Sequence, residues 1–412
     1  MFFTVCLDFA ALCDIIYLSA FFERREHAVD IEFPEKVKKI IAVYEKNGYR
    51  AYAVGGCVRD CLMGKAPADW DITCSCSPEK TIEIFEFEGI HTIPTGLKHG
   101  TVSVLLGGEI FECTTHRVDG SYTDSRRPDF VEFTQRLEDD LSRRDFTVNA
   151  MAASPLGGVC DRFGGLDDLE NKIIRCVGNP EVRFGEDALR ILRALRFATV
   201  LDFEIEKETF SAVKKLAHTL ENISAERKTS ELSKILCSPY AQRGIGLLFD
   251  SGVIKYLLPD ANILPQNITL LEPAFPLRLA TFMWQSGGRD ITRLRLSNEE
   301  KKTVSALLTK IEFTDTPEGA RRTLSRYGEF SFSACVLQGK AELAALVNSE
   351  KETGCVIKIS QLAVDGNMLS ELNIPNKKIG EVLSFLLDEV LKNPSLNTRD
   401  TLLQIANKKF NA

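Results

Sequence analysis

Absences narrow this 412-residue chain before any motif is read. Positive charge is not in excess: 51 Lys and Arg stand against 58 Asp and Glu, a net −7 with pI near 5.5. A uniformly basic nucleic-acid coat is excluded, so any contact with a polyanion must come from local patches. Such patches are Arg126-Arg127, Arg143-Arg144, and Arg183, Arg190, Arg193 and Arg196. Histidine is scarce, and none of the five lies within four residues of another. The twelve cysteines contain no Cys-x-x-Cys pair. A zinc site therefore has no support, and the cysteines read as small buried hydrophobes of a reducing cytosol, which sets the expected localisation as cytoplasmic. Gly55-Gly56 is not followed by Gly-Lys-Ser/Thr, so there is no P-loop. The third glycine of a dinucleotide fingerprint is missing as well. No Ser/His or Cys/His arrangement suggests a covalent nucleophile. Internal repeats and low-complexity tracts are absent.

What remains is ordinary soluble-protein composition, 44% hydrophobic and 26% charged. The length allows roughly two to four domains. Residues 1–25 are apolar but interrupted by Asp8 and Asp14, and their positive charges follow the apolar stretch instead of preceding it. A signal peptide has the reverse layout, and a membrane span tolerates central acids poorly. Residues 1–27 are read as an N-terminal extension, with no stable membrane association expected.

The most informative run is Asp69-Trp70-Asp71, downstream of Gly55-Gly56-Cys57-Val58-Arg59-Asp60. Aspartates two apart on a strand share a face, about 7 Å apart along the chain. Carboxylates held that way repel unless a hard cation lies between them, and Mg²⁺ shared with phosphate oxygens suits the geometry. The paired glycine offers exposed backbone N–H groups, and Arg59 a guanidinium fork, both suited to a triphosphate. Either motif alone is equally well a surface feature. Their order decides: a strand over Arg50–Val54, the glycines, a short helix over Val58–Met63, then a strand from Asp69 to Thr73. This resembles the catalytic head of the class II nucleotidyltransferases.

Around that head, Lys36–Asn47 and Thr81–Glu88 read as helices, Gly100–Leu106 and Glu109–Thr115 as a hairpin through Gly107-Gly108, and Phe130–Phe133 as a further strand. After Gly164-Gly165 the apolar spacing turns to a 3.6-residue period, giving helices only. Pro259–Pro276 looks like a joint between helical units. The fold class is therefore α+β, a mixed-sheet head followed by an all-helical remainder.

Four further segments carry candidate chemistry. Glu112, on a strand expected beside the aspartates, is either a third carboxylate near the metal or a solvated strand residue. The loop Gly120–Pro128 is either a plain surface loop or a mobile element touching nucleotide or RNA. Ser142–Ala150, with Arg143-Arg144 followed by Asp145 and Asn149, suggests phosphate binding held in place by neighbouring polar groups. Asp187 and Arg190 lie three apart on an expected helix, so their side chains should be neighbours. Aspartate only accepts and arginine only donates. Cytosine and adenine both offer an amino donor beside a ring acceptor, whereas uracil and guanine present the opposite polarity. One Asp–Arg pair can thus accept C and A and reject U and G without a template. Arg193 and Arg196 drift off that face by about 60° per three residues, and so suit phosphate contact or helix support.

The stretches AVGGCVRD at 53–60, DWDIT at 69–73, TGLKHGTV at 95–102, RRPDFVEF at 126–133, DDLSRRDFTVNAMA at 139–152, RFGEDALRILRALRF at 183–197, ISAERKTSEL at 223–232 and the tail at 379–402 together resemble the bacterial CCA-adding enzymes, kin of poly(A) polymerases. The resemblance implies a head, neck, body and tail with tRNA along the helical part: an extension at 1–27, a catalytic head at 28–165, a neck and RNA-binding helical domain at 166–260, and a body and tail at 261–412. It implies Mg²⁺ on Asp69 and Asp71, and triphosphate and sugar contacts from Gly56, Arg59 and Arg144. Base selection would fall to Asp187 and Arg190, with Arg193 and Arg196 also at the nucleotide. The implied partners are tRNA, CTP and ATP, the oligomeric state staying open. Addition of CC alone or A alone, poly(A) synthesis, and a non-catalytic RNA-binding relative are the competing expectations.

Overall fold

The computed structural model describes residues 31–120, 131–372 and 374–410; the N-terminal extension and most of the 120–128 loop, including Arg126 and Arg127, lie outside the described residues. The described chain divides into two compact units. One runs to Ile235 and includes Gly246–Tyr256; the other comprises Leu236–Ile245 and the chain from Leu257 onward.

The first unit begins with helix α1 (Glu35–Lys46), whose Val37, Ile40, Ile41, Val43 and Tyr44 form one buried stripe. Strand β1 (Ala51–Val54), helix α2 (Gly56–Leu62), strand β2 (Ile72–Cys74) and helix α3 (Pro78–Phe87) follow. Next come β3 (His91–Gly96), β4 (Thr101–Leu106), β5 (Glu109–Thr115), β6 (Arg117–Asp119), β7 (Val131–Phe133), α4 (Leu137–Ser142), β8 (Met151–Ser154) and β9 (Gly158–Asp161). Seven of these strands form one mixed sheet in the order β3-β4-β5-β2-β1-β8-β9. Only β2 and β5 run parallel within it, Ile72 opposite Cys113.

Alternation within the strands sets the two faces. Ile72, Cys74, Val104, Phe111 and Cys113 point to the face packed by α1 and α3, where Tyr44 and Phe85 meet edge to face at 5.1 Å. Each such side chain contributes about 1.5–3 kcal/mol of burial. On the other face Leu137 and Leu141 of α4 cover Val54 and Ala152, on the β1–β8 side. Trp70 packs toward the first face against Phe33, 5.5 Å between rings, leaving Asp69 and Asp71 exposed.

Beyond the sheet the unit continues with α5 (Gly165–Glu170), β10 (Ile173–Ile174), α6 (Pro180–Glu186), α7 (Leu189–Leu201), β11 (Glu204–Ile205), α8 (Lys207–Leu216) and α9 (Ala225–Leu236). The parallel β10–β11 pair departs from the expected helix-only pattern. Two residues per strand leave too short a period for sequence to report.

The second unit holds helices α11 (Phe275–Ser286), α12 (Asn298–Leu308), α13 (Pro317–Tyr327), α14 (Ser331–Leu337), α15 (Ala341–Glu352), α16 (Gly366–Ser370), α17 (Asn376–Lys392) and α18 (Arg399–Phe410), with α10 (Ala241–Asp250) divided between the units. Ser297 and Glu300 close a capping box at the start of α12. The proline-rich segment is irregular from 259 to 274 except for a short turn, and buried Arg278 donates to the carbonyls of Leu236, Ser238, Leu271 and Glu272. Among the described residues no helix is long and apolar enough to cross a membrane.

Candidate active site

Gly55 turns the chain from β1 into α2 at φ +81°, a conformation that only glycine adopts without strain. The turn also needs glycine for space, because a Cβ there would lie 3.0 Å from Nη1 of Arg144. Arg144 follows the last turn of α4 and pairs with Asp140 at 3.1 Å, while Arg143 pairs with the other Asp140 oxygen at 2.6 Å. Thr73 of β2 donates to the same carboxylate at 3.3 Å. Burial pushes the fully enclosed Asp140 carboxyl up, but Arg144 and Arg143 outweigh it and hold the group well below the usual carboxylate range. Nε of Arg144 is buried with no hydrogen-bond partner among the described residues. The same guanidinium approaches the glycine turn through Nη1, so it brings positive charge to the backbone at that turn.

The aspartates stand just outside β2, which begins at Ile72 and not at Asp69 as the sequence suggested. Their segment keeps one ladder bond, Val54 N–H to the Asp71 carbonyl at 3.0 Å. Parallel pairing of Ile72 with Cys113 sets Asp71 beside Glu112. The Asp71 carboxyl is pushed up to about 6, by surrounding protein first, then by Asp69 and Glu112, with Arg144 acting in the opposite sense. Three carboxylates and one arginine thus share a small region. Among the described residues no group of three His, Cys, Asp or Glu side chains is already closed on a metal position. Mg²⁺ is commonly held by one or two carboxylates plus waters and phosphate oxygens, so the donor set fits an ion that arrives with its nucleotide.

Other expected residues face inward. Arg59 is buried, donating to Asp60 at 2.7 and 2.9 Å and to Asn149 at 2.6 Å. Asn149 donates to Asp145, which in turn binds Arg193 at 2.6 Å. Arg196 pairs with buried Glu231 at 2.5 Å. All three guanidinium groups surround the ring of Phe197, at 5.3, 5.3 and 3.8 Å for Arg59, Arg193 and Arg196.

The continuous helix expected through Asp187 and Arg190 is interrupted, and each side chain is anchored by another residue. Asp187 is extended, at φ −138° and ψ 105°, in a break between α6 and α7. Its carboxylate caps Leu189 N–H at 3.0 Å and pairs with Arg227 of α9 at 2.8 Å. Arg190 is held instead by Glu186 at 2.6 Å and by the carbonyls of Arg183 and Arg143. The last bond ties this segment to the Arg143-Arg144 corner.

Sequence reasoning passed over Asp140, Glu186 and Arg227. The first two were within reach: Asp140 stands three and four residues before Arg143 and Arg144, and Glu186 four before Arg190. Arg227 lies within ISAERKTSEL, but no local spacing ties it to Asp187.

Comparison with known proteins gives a consistent result. Residues 51–175 match a family model described as "Poly A polymerase head domain", and residues 202–264 one described as "Probable RNA and SrmB- binding site of polymerase A". A CCA-adding enzyme of Lactococcus lactis subsp. cremoris is 35% identical over 398 residues, 90% of this chain and 96% of that protein. A CCA-adding enzyme of Streptococcus mutans is 34% identical over 403 residues, 92% and 98% of the two chains. The crystal structure of the Bacillus stearothermophilus CCA-adding enzyme in complex with CTP superposes with a TM-score of 0.73 at 31% identity, covering 91% of this chain and 97% of that one. A Thermotoga maritima CCA-adding enzyme complexed with tRNA shares the fold, at TM-score 0.63 and 23% identity over 92% and 97% of the chains.

Proposed function

The chain belongs to the CCA-adding enzyme family, and on that premise we propose that it builds the CCA end of tRNA from CTP and ATP, without a template, through the carboxylates and arginines described above. The tRNA 3′-hydroxyl oxygen bonds to the α-phosphorus and releases its proton to solvent, the bond to the bridging β-phosphate oxygen breaks, and pyrophosphate leaves. Divalent metal is general to nucleotidyltransferases of this kind, and Mg²⁺ is the ion we assign; when bound it stabilises charge on the attacking and leaving oxygens. Asp69 and Asp71 hold it, and Glu112 is the third carboxylate of the cluster. Gly55, Gly56 and Arg144 receive the triphosphate, the Arg144 guanidinium lying against the glycine turn. Arg59, Arg193 and Arg196 stand one layer behind, their guanidinium groups paired within the protein. Asp187 and Arg190 present acceptor and donor edges to C and A, each oriented by its own partner, Arg227 and Glu186. A carboxylate has about four acceptor sites, so Asp187 keeps capacity for a base amino group.

The observation that carries this reading is the register that sets Asp71 beside Glu112 on the neighbouring strand, next to the Arg144–Gly55 contact. Purified protein supplied with Mg²⁺, CTP, ATP and tRNA lacking its last three nucleotides should add three and stop. Extension halting at two with both nucleotides present, or running on into an A tract, would replace the reading with a partial-specificity enzyme or a poly(A) polymerase.

A further inference from the structure

Phe197 stands where three parts of the candidate active site meet. It lies on α7 with 7% of its surface exposed, edge to face with Phe146 at 5.7 Å between ring centres. Arg193, one turn earlier on the same helix, places its guanidinium 5.3 Å from the Phe197 ring centre. Arg196 is the preceding residue, and adjacent helix residues do not face each other. Its guanidinium nevertheless folds to 3.8 Å from the same centre. Arg59, from α2, is the third at 5.3 Å.

Three like charges around one point repel. Burial pushes the Arg196 guanidinium down, Glu231 opposes the shift and Arg193 adds to it. Each cation has its own carboxylate: Asp60 for Arg59, Asp145 for Arg193 and Glu231 for Arg196. Those carboxylates belong to separate segments, so the ion pairs alone give the arginines no common position. The ring does, because its negative face attracts all three.

The segments joined there are those assigned to triphosphate and base. Arg59 stands three residues after Gly56, on the helix that the glycine turn starts. Asp145 directly follows Arg144. Arg193 stands three residues after Arg190 on α7. We propose that Phe197 is a positioning residue for nucleotide transfer, its ring fixing the spacing between the glycine turn and the helix that bears Arg190; this rests on the nucleotidyl-transfer reading. Triphosphate and base are then gripped in one geometry. Phe197 acts without touching the nucleotide, since a misplacement of about 1 Å originating away from the chemistry is enough to slow a reaction.

The test uses the whole chain with tRNA lacking its CCA end. Phe197→Leu keeps apolar bulk and removes the aromatic face. KM for CTP and for ATP should each rise about tenfold and CTP/UTP discrimination fall about tenfold, with the tRNA dissociation constant unchanged. Phe197→Tyr, which keeps the face, should restore both measures. Phe85→Leu, in the layer of α1 and α3 against Tyr44, is the stability control: it should lower the melting temperature and leave both measures as in wild type. Phe197→Leu that melts lower but keeps wild-type KM values and discrimination would overturn the proposal, the ring being core packing alone. Should that variant not fold, mono-, tri- and pentafluorophenylalanine at position 197 nearly preserve shape while removing the negative face in steps. Both measures should worsen along the series, and identical kinetics throughout would overturn the proposal. Wild-type protein that adds no nucleotide at all would overturn the parent reading, and this proposal with it.

Discussion

Asp187 is bound by Arg227, forty residues further along the chain, although Arg190 stands only three residues away. The break between α6 and α7 makes this possible, because an extended Asp187 swings its carboxylate out of the helical column toward α9. Base choice then depends on two separately anchored groups. Replacing Arg227 by Ala should loosen the carboxylate and lower discrimination of CTP against UTP by about tenfold, roughly the effect of one hydrogen bond to a charged group. Competition between the two nucleotides on tRNA lacking CCA measures it; undiminished discrimination would mean that Arg227 does not orient Asp187.

Arg190→Ala should relax base choice more than it weakens RNA binding. Its partners include Glu186 and two carbonyls of the same unit. Comparing CTP/UTP selectivity with the tRNA dissociation constant checks this. A variant with intact selectivity and weakened RNA binding would make Arg190 an RNA contact.

Gly55→Ala combines strain at φ +81° with a Cβ 3.0 Å from the Arg144 guanidinium. At ψ −127° this positive-φ backbone is outside the left-handed helical well and strains an L-residue by about 1–3 kcal/mol, and the displaced arginine should raise KM for both nucleotides. Steady-state kinetics beside a thermal melt separates the two effects. Gly108, also at positive φ but with open space around it, is the control: Gly108→Ala should cost stability only.

Asp140→Asn removes the shared counter-ion of Arg143 and Arg144 and leaves both partly buried charges uncompensated. The expected loss is about 3–5 kcal/mol, as for breaking a buried pair. The native carboxyl lies below its unfolded value, so its stabilisation is complete above the unfolded pKa and is lost as pH falls toward the native one. Denaturant melts between pH 5 and 2, given as approximate limits, should show a shallower acid loss in the variant than in the wild type.

Much of the head was legible because its strands alternate and its turns are glycine-marked: β1, the β4–β5 hairpin through Gly107-Gly108 and helix α1 all fall where period and punctuation put them. Asp69 and Asp71 were legible as chemistry, though the strand starts only at Ile72 because Asp69 makes no ladder bond while Asp71 keeps one through its carbonyl. The inward turn of Arg59, Arg193 and Arg196 was not. It depends on Asn149, Asp145, Glu231 and the ring of Phe197 converging from separate segments, and no local spacing encodes such a meeting. The Asp187 break was hidden for a similar reason. Helical propensity favours continuation there, and tertiary pairing with Arg227 overrides it.

The central claim is that Asp69 and Asp71 together hold the divalent ion that makes nucleotide transfer possible. Single-turnover incorporation of CMP into tRNA lacking its CCA end, run for wild type, Asp69→Ala and Asp71→Ala with tRNA binding measured in parallel, tests it most directly. Incorporation should vanish in both variants while tRNA is still bound. Near-normal turnover in either one would contradict the account.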